Sequence, residues 1–159
     1  MFAVPDNTVA VASATAPRHP VRVALEYAAD RDRWRTLLRY DPEERFSALV
    51  TADAEQEVWL LGWLPGQYTD LHDHGPATGA FTVVSGRLTE TVARRAPGER
   101  VVQEVHALAT GQSRVFGPGY VHRVRNEDPD PAVSIHVYRS GGRTLRPYRL
   151  DPLTGPVRD

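Results

Sequence analysis

Six histidines and no cysteine define the chemistry open to this chain. Without thiols there are no disulfides, no thiolate metal sites and no cysteine nucleophile, so a metal would have to sit on nitrogen or oxygen. Two of the histidines form His72-Asp73-His74. On a strand, alternate side chains share a face with backbones roughly 6.6–7 Å apart, so both imidazoles point one way. Two nitrogens so placed can reach one ion at roughly 2.0–2.2 Å each. Taken alone, the pair reads equally well as a polar pair on an exposed strand. A further histidine, His122, follows the turn signal Pro118-Gly119 at the start of a strand-like run. Ser134, His136 and Tyr138 alternate by two and would share one strand face. In isolation they read as a buried polar ladder.

The elements that must position these side chains are mostly strands. After a lead-in over residues 1–20, the apolar spacing of Val23, Leu25, Ala28, Trp34, Leu37 and Leu38 predicts one or two short helices around an Asp30-Arg31-Asp32 break. Helix is expected to end by about residue 45. Short runs rich in Val, Leu, Thr and aromatics then follow, separated by Gly, Pro, Asp and Asn. They predict strands over 58–64, 79–85, 88–93, 101–108, 113–116, 121–126 and 133–138, and an all-β antiparallel sandwich or barrel. The tail, residues 140–159, holds several Pro, Gly and Arg and is expected to pack as an irregular strap. No internal repeat or low-complexity linker divides the chain, so residues 21–159 are expected to form one domain.

Composition excludes several classes of function. The chain has 159 residues, is 41% hydrophobic, and sets 19 basic against 20 acidic side chains for a formal net charge of -1. No basic surface is implied for nucleic acid, and no run approaches the roughly 18 apolar residues that span a bilayer. The first residues lack a basic start followed by an unbroken apolar run, since Pro5, Asp6 and Asn7 interrupt them. A cytoplasmic monomer acting on a small molecule is expected.

The glycine and histidine spacing narrows this further. Gly66, His72, His74, Gly79 and Gly86 form one cluster, and Gly111, Pro118-Gly119, His122 and Asn126 another. Together they resemble the two motifs of the cupin superfamily, in which the first supplies two His and usually a Glu, and the second a third His. The Glu position holds Gly79, so the resemblance implies a site of three His without carboxylate, in a cupin jelly-roll barrel preceded by short helices. Trp59 to Gly66, Leu71 to Gly75, Gly79 to Glu90, Phe116 to Asn126 and Asp130 to Tyr138, in that order, resemble the cysteine dioxygenase family.

That resemblance implies Fe(II) on His72, His74 and His122, with a small thiol bound through sulfur and oxidised by O2 to a sulfinic acid. It implies Tyr138 as the residue nearest substrate and oxygen, with His136 and Ser134 hydrogen-bonded behind it. Cysteine is the first expectation for the thiol. A 3-mercaptopropionate dioxygenase, or a non-oxygenase cupin enzyme using the same histidines with another metal, are the alternatives. The family's carboxylate-gripping Arg aligns with Ser47, and Arg45, two residues earlier and on the same face, is the candidate substrate-binding residue beside Tyr138. A surface Arg is the competing reading. In the animal enzymes the Tyr is crosslinked to a Cys at the position of Gly79, a link that bacterial members commonly lack. Glu90 falls at a family Glu and reads as structural, Trp63 and Phe81 read as pocket supports, and His19 and His106 are assigned no role. The family's Ser-Pro-Pro after the Tyr is replaced by Arg139-Ser140-Gly141-Gly142, where the backbone is expected to differ.

Overall fold

A computed structural model describes residues 18–98, 100–139 and 143–159. Most of the expected lead-in, residues 1–17, and the Ser140-Gly141-Gly142 departure lie outside the described residues. The first helix, α1 (Pro20–Ala29), opens with Pro at its first position, where no amide hydrogen is needed, and His19 Nδ1 accepts from the Val21 N–H at 3.1 Å. It ends at Asp30, whose N–H reaches the carbonyls of Glu26 and Tyr27. A 3-10 turn (Arg31–Arg33) follows, so the expected break is where the acidic and basic triplet placed it. Trp34, fully buried, then donates from Nε1 to the Tyr27 carbonyl at 2.7 Å and pins the turn to the helix. No described helix is long and apolar enough to cross a membrane.

Eleven strands follow: β1 (Phe46–Ala52), β2 (Gln56–Trp63), β3 (His72–Asp73), β4 (Thr78–Ser85), β5 (Leu88–Arg95), β6 (Val101–Leu108), β7 (Ser113–Phe116), β8 (Val121–Arg125), β9 (Ala132–Arg139), β10 (Arg146–Asp151) and β11 (Gly155–Arg158). They form two antiparallel sheets, ordered β1-β2-β9-β4-β7 and β11-β10-β3-β8-β5-β6. This is the double-sheet, all-β arrangement expected of a cupin jelly roll.

Period-two alternation divides the core in two. On β9, Val133, Ile135 and Val137 point outward and pack with Val58 and Leu60 of β2 under Val23, Ala24 and Trp34. The alternate residues, among them Ala132 and Tyr138, turn into the space between the sheets with Leu61, Trp63, Phe81, Val83 and Phe116. The helix therefore caps the back of the sheet that carries Ser134, His136 and Tyr138. Each fully buried aliphatic or aromatic side chain in these layers contributes roughly 1.5–3 kcal/mol.

Each strand expected from the sequence is present within two residues, and four strands were not anticipated. β1 begins where helix was expected to end. β3 is only two residues long, too short for periodicity to register. The tail is a correction: it forms a hairpin, β10 and β11, not an irregular strap. Asp151 Oδ1 accepts from the N–H groups of Leu153 and Thr154, and Gly155 at φ 88° completes the turn. Among the described residues, Pro147, Pro152, Gly155 and Pro156 belong to that turn and to the strand beginnings.

Candidate metal centre

β3 lies between β8 and β10, with His72 in register with His122 and Asp73 with Arg146. His74 follows β3 and turns inward with them. The three imidazoles are buried at 5%, 3% and 2% exposure for His72, His74 and His122. One ring nitrogen from each lies within 4.8 Å of the others. His74 Nε2 and His122 Nε2 are 3.2 Å apart.

The other ring nitrogen of each histidine decides what those converging atoms are. His72 Nδ1 meets the Asp70 carbonyl at 2.6 Å, His74 Nδ1 the Thr144 carbonyl at 2.9 Å, and His122 Nδ1 the Glu90 carboxylate at 2.7 Å. These partners can only accept, so every Nδ1 carries the hydrogen and every Nε2 presents a lone pair. Lone pairs 3.2 Å apart repel unless a cation lies between them. Two nitrogens roughly 2.1 Å from one ion at near-right angles would stand about 3 Å apart, so the donor set fits a divalent transition metal. Burial, and then repulsion from His122, holds His72 down to about 2 and His74 to about 4, so both are neutral bases near neutrality.

The residue between the ligand histidines points the other way. Asp73 is fully buried and accepts from Arg146 Nε at 2.7 Å, Arg146 Nη2 at 2.8 Å, the Tyr148 hydroxyl at 2.8 Å and the Gly75 N–H at 2.9 Å. Burial alone would raise its carboxyl, yet these donors hold it well below the usual carboxylate range. The hairpin β10–β11 thus clamps the His-Asp-His segment from behind.

Glu90 is the second buried carboxylate. β5 alternates inward and outward, and Glu90 takes an inward place between Leu88 and Val92. Its oxygens accept from His122 Nδ1, from Arg114 Nε at 2.7 Å, and from the Tyr120 hydroxyl at 3.1 and 3.2 Å. Burial would raise its carboxyl, and the donors from His122 and Arg114 outweigh it and lower it. Arg114 Nη2 also reaches His106 Nε2 at 3.1 Å, which ties His106 to the network. Sequence reasoning took Glu90 as structural only, although a Glu at an inward position of an alternating strand was the available signal.

Ser134, His136 and Tyr138 share the inner face of β9. Trp63 Nε1 donates to Ser134 Oγ at 2.9 Å, Ser134 Oγ lies 2.8 Å from His136 Nε2, and His136 Nδ1 lies 3.4 Å from the Tyr138 hydroxyl. Since indole only donates, the serine hydroxyl is free to donate onward to Nε2, which leaves Nδ1–H directed at the tyrosine oxygen. His136 is held neutral by burial and by the nearby charges of Arg45 and Arg143. Burial likewise raises the Tyr138 hydroxyl, which stays protonated. Phe81 stacks on His136 at 4.9 Å, and Phe116 lies against His74 at 4.7 Å.

His72, His74, His122, His136, Tyr138 and Arg45 line one inner cavity of about 20 Å³, room for about one water. Ser134 stands behind His136 and does not line it. Arg45, Thr69, His72 and Leu145 also border an adjoining open groove of about 470 Å³. Arg45 stacks over Trp63 at 4.9 Å, and burial followed by repulsion from Arg143 lowers its guanidinium to about 10. Arg143 also lines the inner cavity, stacks over Trp59 at 4.6 Å, and donates to Ser47 Oγ at 3.2 Å. Nothing in the sequence pointed to Arg143, which follows two glycines in the tail. Gly79 pairs with Tyr138 across the β4–β9 ladder.

Comparison with known proteins gives a consistent picture. The sequence model of a family described as cysteine dioxygenase type I matches residues 11–149. A Thermus thermophilus protein of known structure is 27% identical over 66% of this chain and 91% of its own, with a TM-score of 0.57. A conserved Klebsiella pneumoniae protein with a double-stranded β-helix domain is 26% identical over 70% of this chain and 91% of its own, at TM-score 0.55. A cupin superfamily protein from Desulfitobacterium hafniense, 8% identical, shares the fold over 67% of this chain and 87% of its own at TM-score 0.54.

Proposed function

The chain belongs to the cysteine dioxygenase type I family, and from that premise we propose that it is a non-haem Fe(II) thiol dioxygenase. In this reading residues 21–159 act as one cupin domain, and His72, His74 and His122 hold the metal. The observation that carries it is the convergence of three Nε2 lone pairs, each fixed by an acceptor on Nδ1. Iron(II) bound there would favour thiolate over thiol and supply the redox chemistry toward dioxygen. The reaction adds both atoms of O2 to the sulfur of a small thiol and gives a sulfinic acid.

The chain's own residues bind and orient. Arg45, beside His72 in both the cavity and the open groove, offers a half-buried cation to a substrate carboxylate. Tyr138 presents its hydroxyl to the same space, and His136 and Ser134 hold that hydroxyl in place from behind. The inner cavity is too small for a whole amino-acid thiol, so substrate entry requires the Arg45 or Leu145 side chain to draw back toward the open groove. Cysteine is the first candidate and 3-mercaptopropionate the second.

Oxygen uptake by the iron-loaded protein with cysteine, 3-mercaptopropionate and cysteamine, with product analysis, tests this. Uptake should require Fe(II) and thiol together and match the sulfinic acid formed. A preparation with one bound iron that consumes no oxygen with any of the three, nor with a mercapto-dicarboxylate, overturns the reading.

A further inference from the structure

Buried charges in folded proteins are paired or hydrogen-bonded, because desolvation of an uncompensated ion is expensive. Among the described residues, the buried side-chain nitrogens and oxygens without a hydrogen-bond partner are two: Arg45 Nε and Arg143 Nε. Both residues line the same cavity, above the three histidines. Arg45 acts electrostatically on His72 and Arg143 on His74, and both act on His136 and Tyr138. They are near enough for Arg143 to repel Arg45.

Among the described residues, neither guanidinium forms an ion pair with a carboxylate. Glu57, which Arg143 influences electrostatically, accepts from the Arg143 main-chain N–H at 3.0 Å and from Trp59 Nε1 at 3.0 Å. Each cation sits over an indole, Arg45 over Trp63 and Arg143 over Trp59, and each keeps a buried Nε–H with which an anion could be met. Arg143 is fixed by its bond to Ser47 Oγ at 3.2 Å and also reaches the Tyr138 hydroxyl. A substrate with one carboxylate would meet one of these two buried Nε–H groups and leave the other without a partner.

We propose that Arg45 and Arg143 form a two-cation clamp, and that the preferred substrate is a thiol bearing two acidic groups, a mercapto-dicarboxylate. This rests on the thiol dioxygenase reading and puts a dicarboxylate ahead of cysteine and 3-mercaptopropionate as its preferred thiol. The thiol sulfur faces the histidines and one carboxylate pairs with each arginine. Oxidation converts the thiol and one O2 into a sulfino-dicarboxylate, with both oxygen atoms on sulfur.

Calorimetric titration of the full chain tests the clamp in two ways. With the metal-free protein, succinate and propionate report the anion site without any turnover, and succinate should bind at least about tenfold more tightly, the value of one further charge-assisted pair. Arg143→Gln should bring the two acids to within about threefold, and Arg143→Lys should keep part of the difference. With the iron-loaded protein, kcat/KM for 2-mercaptosuccinate should exceed that for 3-mercaptopropionate by a similar factor and lose the advantage in Arg143→Gln. Equal binding of succinate and propionate, no binding of either, or an advantage untouched by Arg143→Gln overturns the clamp. If succinate is preferred but no thiol consumes oxygen, the clamp stands and the dioxygenase reading fails. If 3-mercaptopropionate is oxidised with no dicarboxylate preference, the clamp alone falls.

Discussion

Replacing Glu90 by Gln should weaken metal binding, by a route that the hydrogen-bond directions specify. Wild-type Glu90 offers only acceptors, one oxygen toward Arg114 and the other toward His122. Arg114 can only donate, so a Gln in this place turns its carbonyl oxygen to Arg114 and its amide NH2 to His122. That NH2 needs an acceptor, which stabilises the His122 tautomer with a bare Nδ1 and a hydrogen on Nε2, where the metal should bind. Restoring the binding tautomer means facing N–H against N–H across a contact that is 2.7 Å in the wild type. A charge-assisted bond of this kind is worth about 1.5–3 kcal/mol, and partners of metal-bound histidines typically contribute 10–100-fold in affinity. Glu90→Gln should therefore lose about 10–100-fold in affinity for a divalent metal in competition with a chelator, with native secondary structure retained. Arg114→Leu in the same chain removes the donor that dictates the amide's orientation, so the double variant should recover part of the affinity. A Glu90→Gln protein binding metal within about twofold of wild type, or a double variant weaker than the single, refutes the tautomer argument.

Gly79→Ala should lower stability by about 3 kcal/mol in urea unfolding, because an added Cβ would lie 2.1 Å from the Val137 carbonyl oxygen and 2.5 Å from the Phe116 ring; a loss below about 1 kcal/mol would mean the ladder yields more easily than its geometry implies. The same contact obstructs a cysteine there, so Gly79→Cys should not form the thioether to Tyr138, which mass spectrometry would reveal as a loss of two hydrogens. The metal-free chain should lose stability as pH falls from about 6.5 toward 4, because unfolded histidines take up protons near 6.5 while folded His74 resists to about 4 and His72 to about 2. The slope is at most about 1.4 kcal/mol per pH unit for each such group, and it should shrink in His74→Gln; unfolding curves that coincide across this range would contradict it. Asp73→Asn should destabilise by about 2 kcal/mol, less than a fully buried pair would, since Arg146 is one-third exposed, and metal retention on dialysis should fall with it.

How far the sequence carried this reading follows from the range of each interaction. The sheets were legible because β2, β4, β5 and β9 alternate side chains between a helix-covered or solvent face and an inner face, a local signal of period two. The histidine cluster was legible because its spacing and its turns are local as well. β3 was not, because two residues cannot show a period, and the tail hairpin was hidden by a turn rich in Pro and Gly. Arg143 and Asp73 acquire their positions only when β10 closes on β3, an event with no trace in the neighbouring residues. The same dependence explains why substrate specificity is the least local property of the site. The nitrogen donors proposed for the metal come from β3, the residue after it, and the adjacent β8, and the ladder fixes them. The cations that would choose among thiols come from distant parts of the chain, the residue before β1 and the segment before β10, and meet only over the finished barrel. Ser47 illustrates this: its hydroxyl, next to the β1 entry, accepts from a guanidinium that arrives from residue 143.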